Sequence, residues 1–238
     1  MTMYIIMALM AFLGGLVQGI TGFGSGIIMM MAFPFFFALP QAAGISGICS
    51  LFMTLTLAIK YRKLVQWRIL FLPALLFIAV SSAGIFISTS LDQALMKKAF
   101  GVFLCVLCIY YLFINKQSDR KLNLAVSVVF IVISGLCDAF FGIGGPLMVI
   151  YFLSQIKNQA EYRATIQTFF FCCGFYNATF RVINGIVGTT HLPVIMAGGV
   201  AIVIGSLLGA KIADRLNAEI LKKATYIMIG VAGIINII

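Results

Sequence analysis

The sequence predicts an all-α, polytopic membrane protein made of two inverted repeats, each with a broken-helix hairpin, and about eight to ten membrane segments in all. Three observations carry that prediction. The 238 residues are 63% hydrophobic and only 9% charged, whereas a soluble domain carries about 25% charged residues. The apolar stretches reach spanning length, as in 69–88 (ILFLPALLFIAVSSAGIFIS) and 122–140 (LNLAVSVVFIVISGLCDAF); about 20 residues at 1.5 Å each cross a bilayer core. Glycine clusters interrupt the pattern twice, 120 positions apart: GITGFGSGIIMM at 19–30 and AFFGIGGPLMVI at 139–150.

Taken in order, the apolar segments are 3–20, 26–39, 42–59, 69–88, 95–114, 122–140, 146–156, 164–184, 192–212 and 219–238. The first lacks the basic start and small-residue cleavage site of a secretory signal, so it reads as a span. Segments 26–39 and 146–156 are too short to cross: as helices they extend about 21 and 17 Å against a core of about 30 Å. They read as half-helices. The other eight are long enough to span. Alternating polar and apolar segments of about ten residues, the mark of a membrane barrel, are absent.

The halves correspond. Gly15, Leu16, Gly22 and Gly24 fall on Gly135, Leu136, Gly142 and Gly144; Gln18 falls on Asp138 and Gly26 on Pro146. Further on, LDQALMKKA (91–99) resembles LNAEILKKA (216–224). Two matched blocks in the same order imply a duplication: repeat 1 at 1–114, a linker at 115–121 and repeat 2 at 122–238, together one membrane unit.

The net charge of +10 arises from 16 basic and 6 acidic residues. The basic residues lie between the apolar runs, so they read as membrane topology, and nucleic acid is excluded as a partner. Loops 60–68, 115–121, 157–163 and 211–223 collect the cations and are expected on the cytoplasmic side; Lys97 and Lys98 dissent. Five segments per half is an odd number, so the halves insert in opposite orientations. Inverted repeats with interrupted helices are an architecture of secondary transporters.

Glycine costs about 1 kcal/mol in a helix interior relative to alanine, so each cluster needs a reason. Each sits at a hairpin tip where a half-helix starts. Ser25 or Gly24 can cap the first, and Pro146 occupies the first turn of the second. Free N–H groups and the helix dipole make such ends receptive to an anion, and glycine lets the backbone approach it. Gly14, Gly15 and Gly135 fit close helix packing equally well.

These tips, Thr21-Gly22-Phe23-Gly24-Ser25-Gly26 and Phe141-Gly142-Ile143-Gly144-Gly145-Pro146, together with the Tyr61–Trp67 stretch and the chain length, resemble the TauE/SafE family of sulfite exporters and sulfonate permeases. The resemblance covers nearly the whole chain. It implies transport of small sulfur anions (sulfite, sulfonates, sulfoacetate) across the bacterial inner membrane, with Gly22, Gly24, Ser25, Gly26, Gly142, Gly144, Gly145 and Pro146 cradling the substrate. Ser25 departs from the family's commoner run of glycines.

Other polar residues in the spans are candidates too. Asp138 reads as a proton carrier or as a brace for the second hairpin. Arg181 and Asn177, one helical turn apart, read as substrate ligands; the alternative is an arginine that snorkels to the interface. Gln41, Thr165, Gln167 and Thr168 read as packing or added donors, and His191, the lone histidine, as a loop-end residue. Among the six cysteines, Cys105 and Cys108 form a CxxC in an apolar helix with no His or acid nearby, which reads as packing; no metal or cofactor is expected. The expected partners are a small anion and the bilayer, with self-association into a homo-oligomer left open. The expected function is a non-enzymatic secondary transporter, with proton coupling as a variant. The alternatives are an uncoupled anion channel and, remotely, an intramembrane serine hydrolase using Ser25 and His191.

Overall fold

The computed structural model describes residues 2–109 and 122–212, with 230, 231, 233 and 234. The expected linker 115–121, the block 216–224 and most of segment 219–238 lie outside the described residues.

Each helix boundary has a local cause. Helix α1 (Thr2–Thr21) ends where Gly22 takes φ +86°, and the Thr21 hydroxyl is shared between the Val17 and Phe23 carbonyls. Helix α2 (Ser25–Met30) is shorter than expected, because a 3-10 turn at Phe33–Phe35, built around Pro34, replaces its second half. Proline lacks the N–H that would extend the helix. Helix α3 (Leu39–Tyr61) starts with Pro40 in its first turn, and α4 (Trp67–Ser88) follows a 3-10 turn at Arg62–Leu64. Asp92 caps α5 (Gln93–Ile109) by accepting from the Leu95 N–H at 2.8 Å. Asn123 caps α6 (Leu124–Phe141), which stops at Gly142, φ +64°. Helix α7 (Gly145–Gln155) is the second short helix; Asn158 then caps α8 (Gln159–Ile183), and a turn at Thr189–His191 leads into α9 (Leu192–Ile212).

Among the described residues, five helical stretches are long and apolar enough to cross a membrane: Thr2–Thr21, Leu39–Leu64, Trp67–Ser88, Leu124–Phe141 and Thr189–Ile212. Helix α8 is built differently. Its polar residues Thr165, Gln167, Thr168, Asn177 and Arg181 are buried while Phe175 and Ile183 are exposed. In hydrocarbon, polar side chains turn to the bundle interior, so this helix lines the centre of the protein.

The packing is paired. Helix α1 lies along α9 as α6 lies along α4; α3 touches α9 as α8 touches α4; each short helix packs on the helix before it and the helix after it. Helices α3 and α8 face each other. Small residues set the closest approach. A Cβ on Gly15 would collide with the Ile202 carbonyl, and one on Gly205 with the Phe12 carbonyl. Gly14 lies on the Ser25 carbonyl and Gly135 on that of Phe77, with 2.9 and 3.2 Å left for a Cβ. The packing reading therefore accounts for Gly14, Gly15 and Gly135. Lys97, one of the two dissenting cations, sits 5.0 Å from the centre of the Phe35 ring.

Candidate functional site

The two glycine tips touch. A Cβ added to Gly26 would come within 2.8 Å of the Gly142 carbonyl oxygen. Beside this junction lies a cavity of about 100 Å³, several times the ~10–15 Å³ that one water needs. Gly24, Ser25 and Gly26 line it from the first tip, and Gly142, Gly144, Gly145 and Pro146 from the second. Of the expected cradle only Gly22 does not line it; Gly22 forms the turn behind.

Side chains of the long helices complete the wall. Gln18, Ser50, Thr54, Asp138 and Cys173 contribute polar groups; Phe23, Phe77 and Phe170 contribute aromatic faces. Apart from Gln18, noted as a repeat mate, and Asp138, sequence reasoning passed over these residues. One signal was readable: Gly47, Ser50 and Thr54 recur at helical spacing on α3 and line the same cavity.

Gln18 and Asp138 each lie against a tip. The Ser25 N–H donates to Gln18 Oε1 at 3.1 Å, and a Cβ added to Gly144 would come within 2.9 Å of the Asp138 Cβ. Gly24, in the left-handed region at φ +107°, precedes α2 without a side-chain cap. Of the two expected caps, Gly24 takes the N-cap position, while the Ser25 N–H is held by Gln18 and its hydroxyl meets that of Ser50 at 3.3 Å. Gln167 Nε2 donates to the Gly22 carbonyl at 2.9 Å, tying the first tip to α8. The N–H groups of Gly26, Ile27 and Gly145 have no acceptor among the described residues.

A second, smaller cavity of about 40 Å³ adjoins the first, sharing Gly47, Asp138, Gly142 and Gly174 with it. Asn177 and Arg181 line this one, not the larger. Asn177 donates to Asp138 Oδ2 at 2.7 Å and accepts from the Ser81 hydroxyl at 2.9 Å. Arg181 does not snorkel: it is 3% exposed. Its guanidinium donates to the carbonyls of Pro40 (2.9 Å), Asp138 (3.1 Å) and Ala139 (2.7 Å). Arg181 thus fastens α8 to the start of α3 and the end of α6.

The remaining candidates have structural partners. Thr165 accepts from the Gln66 N–H at 3.0 Å, and Thr168 donates to the Ala164 carbonyl at 2.9 Å. His191 pairs with Gly188 and packs its ring edge-on against Phe37, 5.4 Å between centroids. Among the described contacts Ser25 and His191 have separate partners, so the pairing a serine hydrolase needs is not formed.

A multi-pass helical membrane protein with a solute-sized internal cavity belongs to the class of membrane transporters and channels. Residues 7–235 match the family described as sulfite exporter TauE/SafE, and the chain belongs to that family of membrane transporters. A relative from Methanocaldococcus jannaschii, described as a probable membrane transporter protein, is 23% identical over 249 aligned positions, covering 96% of this chain and 93% of its own length. No solved structure matches the chain.

Proposed function

We propose that this protein is a secondary transporter that moves small sulfur-containing anions, of sulfite, sulfonate or sulfoacetate type, across the inner membrane by alternating access. The single observation that carries the reading is the junction of two glycine tips, far apart in sequence, around one cavity. Gly24, Ser25, Gly26, Gly142, Gly144, Gly145 and Pro146 would hold the anion, with Gly22 shaping the turn behind them and Asn177 and Arg181 acting from the adjoining cavity. The paired packing of α1–α4 with α6–α9 supports an inverted duplication, and rocking one repeat against the other would expose the cavity to each side in turn. The linker 115–121 and the basic loops would face the cytoplasm.

Asp138 lines the cavity, and on this reading it carries the coupling proton. Two unit charges about 6 Å apart repel by about 3 kcal/mol at an effective dielectric of ~20, roughly a hundredfold in binding. Protonating the carboxylate removes that penalty, so anion and proton would load together. The test is uptake of labelled sulfite, thiosulfate, taurine and sulfoacetate into proteoliposomes, with and without a pH gradient. Saturable uptake with counterflow is expected. Movement of none of these solutes would overturn the assignment, and a non-saturating current without counterflow would replace the carrier by a channel.

A further inference from the structure

The larger cavity has an unusual charge balance for an anion site. Among the described residues its wall holds no lysine, arginine or histidine, and its one carboxyl side chain is Asp138. Arg181 lines the adjoining cavity, with its guanidinium engaged by three backbone carbonyls. What the wall offers is neutral. The hydroxyls of Ser25 and Ser50 and the backbone of Gly145 line it beside the rings of Phe23, Phe77 and Phe170, while the Gln18 amide in the same wall is engaged by Gln167 and by the Ser25 N–H. We infer that the site selects singly charged anions that pair a compact oxyanion head with a small apolar group, such as short alkanesulfonates or hydrogen sulfite, over dianions of similar size.

The physics follows from charge. The cost of taking an ion out of water rises with the square of its charge, so a dianion pays about four times the penalty of a monoanion. Neutral hydroxyl and amide donors can offset the smaller penalty; without a cation in the wall they cannot offset the larger. With Asp138 protonated as the anion loads, the selection comes from the neutral wall itself. The charged or titratable groups facing Asp138 are Arg181 and Cys173 from α8 and Cys137 from its own helix; α3, α4 and α7 bring Gly47, Phe77 and Gly145 to that region. The apolar rings give a purpose to the substituent: a methyl or ethyl group can rest against them, whereas a fourth oxygen cannot.

This inference rests on the transport reading above and narrows it, placing sulfoacetate and doubly charged sulfite among the poor substrates. The experiment is competition against labelled-sulfite uptake in proteoliposomes holding the full-length protein. Methanesulfonate is a monoanion and sulfate a dianion at every pH used, so their comparison is free of substrate titration. Methanesulfonate is expected to compete at least about tenfold better than sulfate at pH 7.5. Asp138→Asn, which fixes the neutral state in which the anion loads, is expected to keep the preference for methanesulfonate, and loss of that preference in this variant would move the selection from the neutral wall to the Asp138 charge. Equal competition in the native protein overturns the charge selection while leaving sulfur-anion transport intact. Absence of any sulfite uptake overturns both.

Discussion

Gly145→Ala tests the cavity with the least disturbance to the fold. Gly145 is not among the glycines with positive φ, so alanine suits its backbone. The new methyl would lie 3.6 Å from Phe170 Cζ and 3.9 Å from Phe23 Cβ, which is ordinary contact. Nothing must move, and the stability change should stay within about 0.5 kcal/mol. The methyl does, however, take up room beside the Gly145 N–H, a donor with no acceptor among the described residues. Losing one hydrogen bond to a charged group costs about 1.5–3 kcal/mol, or roughly 10- to 150-fold in affinity. The assay is the KM for sulfite uptake in proteoliposomes, paired with a thermal melt followed by fluorescence-detected size exclusion. A raised KM with an unchanged melt is the expected pattern. An unchanged KM would mean that the substrate does not sit against the second tip.

Three other substitutions probe the parts around it. Gly26→Ala places a methyl 2.8 Å from the Gly142 carbonyl oxygen, backbone against backbone; it should cost about 1–3 kcal/mol by forcing the tips apart, and a melt equal to that of the native protein would contradict the contact. Asp138→Asn keeps an oxygen that can accept from Asn177, so the protein should fold, lose the effect of a pH gradient on uptake and retain counterflow. Full gradient-driven uptake in that variant would remove Asp138 from the coupling. Arg181→Lys replaces a planar fork by a single ammonium, leaving at least one of the Pro40, Asp138 and Ala139 carbonyls without its donor; a loss of about 1–3 kcal/mol is expected in the same melt, and no loss would show that the fork is dispensable.

Glycine made the tips legible. In so apolar a chain, a cluster such as Gly22-Phe23-Gly24 weakens a helix for no packing return, and its recurrence at Gly142-Ile143-Gly144 ruled out accident. The boundaries of α4, α6, α7 and α9 were equally readable, because apolar length and capping residues are local properties. Other features depended on the partner. Gly15 and Gly205 mark a close helix crossing only once α1 is laid on α9. Phe77 and Phe170 sit in unbroken helices, and nothing along their own segments distinguishes a cavity wall from a packed interior. Arg181 was visible as an intramembrane charge, but its acceptors were not. They are backbone carbonyls: those of Asp138 and Ala139 in the last turn of α6, where the ladder runs out at Gly142, and that of Pro40 in the first turn of α3. A helix terminus supplies acceptors that no side-chain pattern records.

Gln18 and Asp138 correspond when the two halves of the sequence are laid together, and each lies against its own tip: Gln18 accepts from the Ser25 N–H, and the Asp138 side chain packs on Gly144. At the first tip an amide fills this place. A carboxylate at the same place adds a penalty, about 2.5–3.5 kcal/mol at the centre of a bilayer on insertion scales. Arg181 offsets part of it, and no cation stands in the corresponding stretch of α3 before Lys60. The acid and its countercharge therefore form one unit, present at the second tip and missing from the first. On the transport reading, the one ionisable brace lets a proton and the anion bind together beside the second tip, and that shared binding is what ties net movement of the anion to a pH gradient.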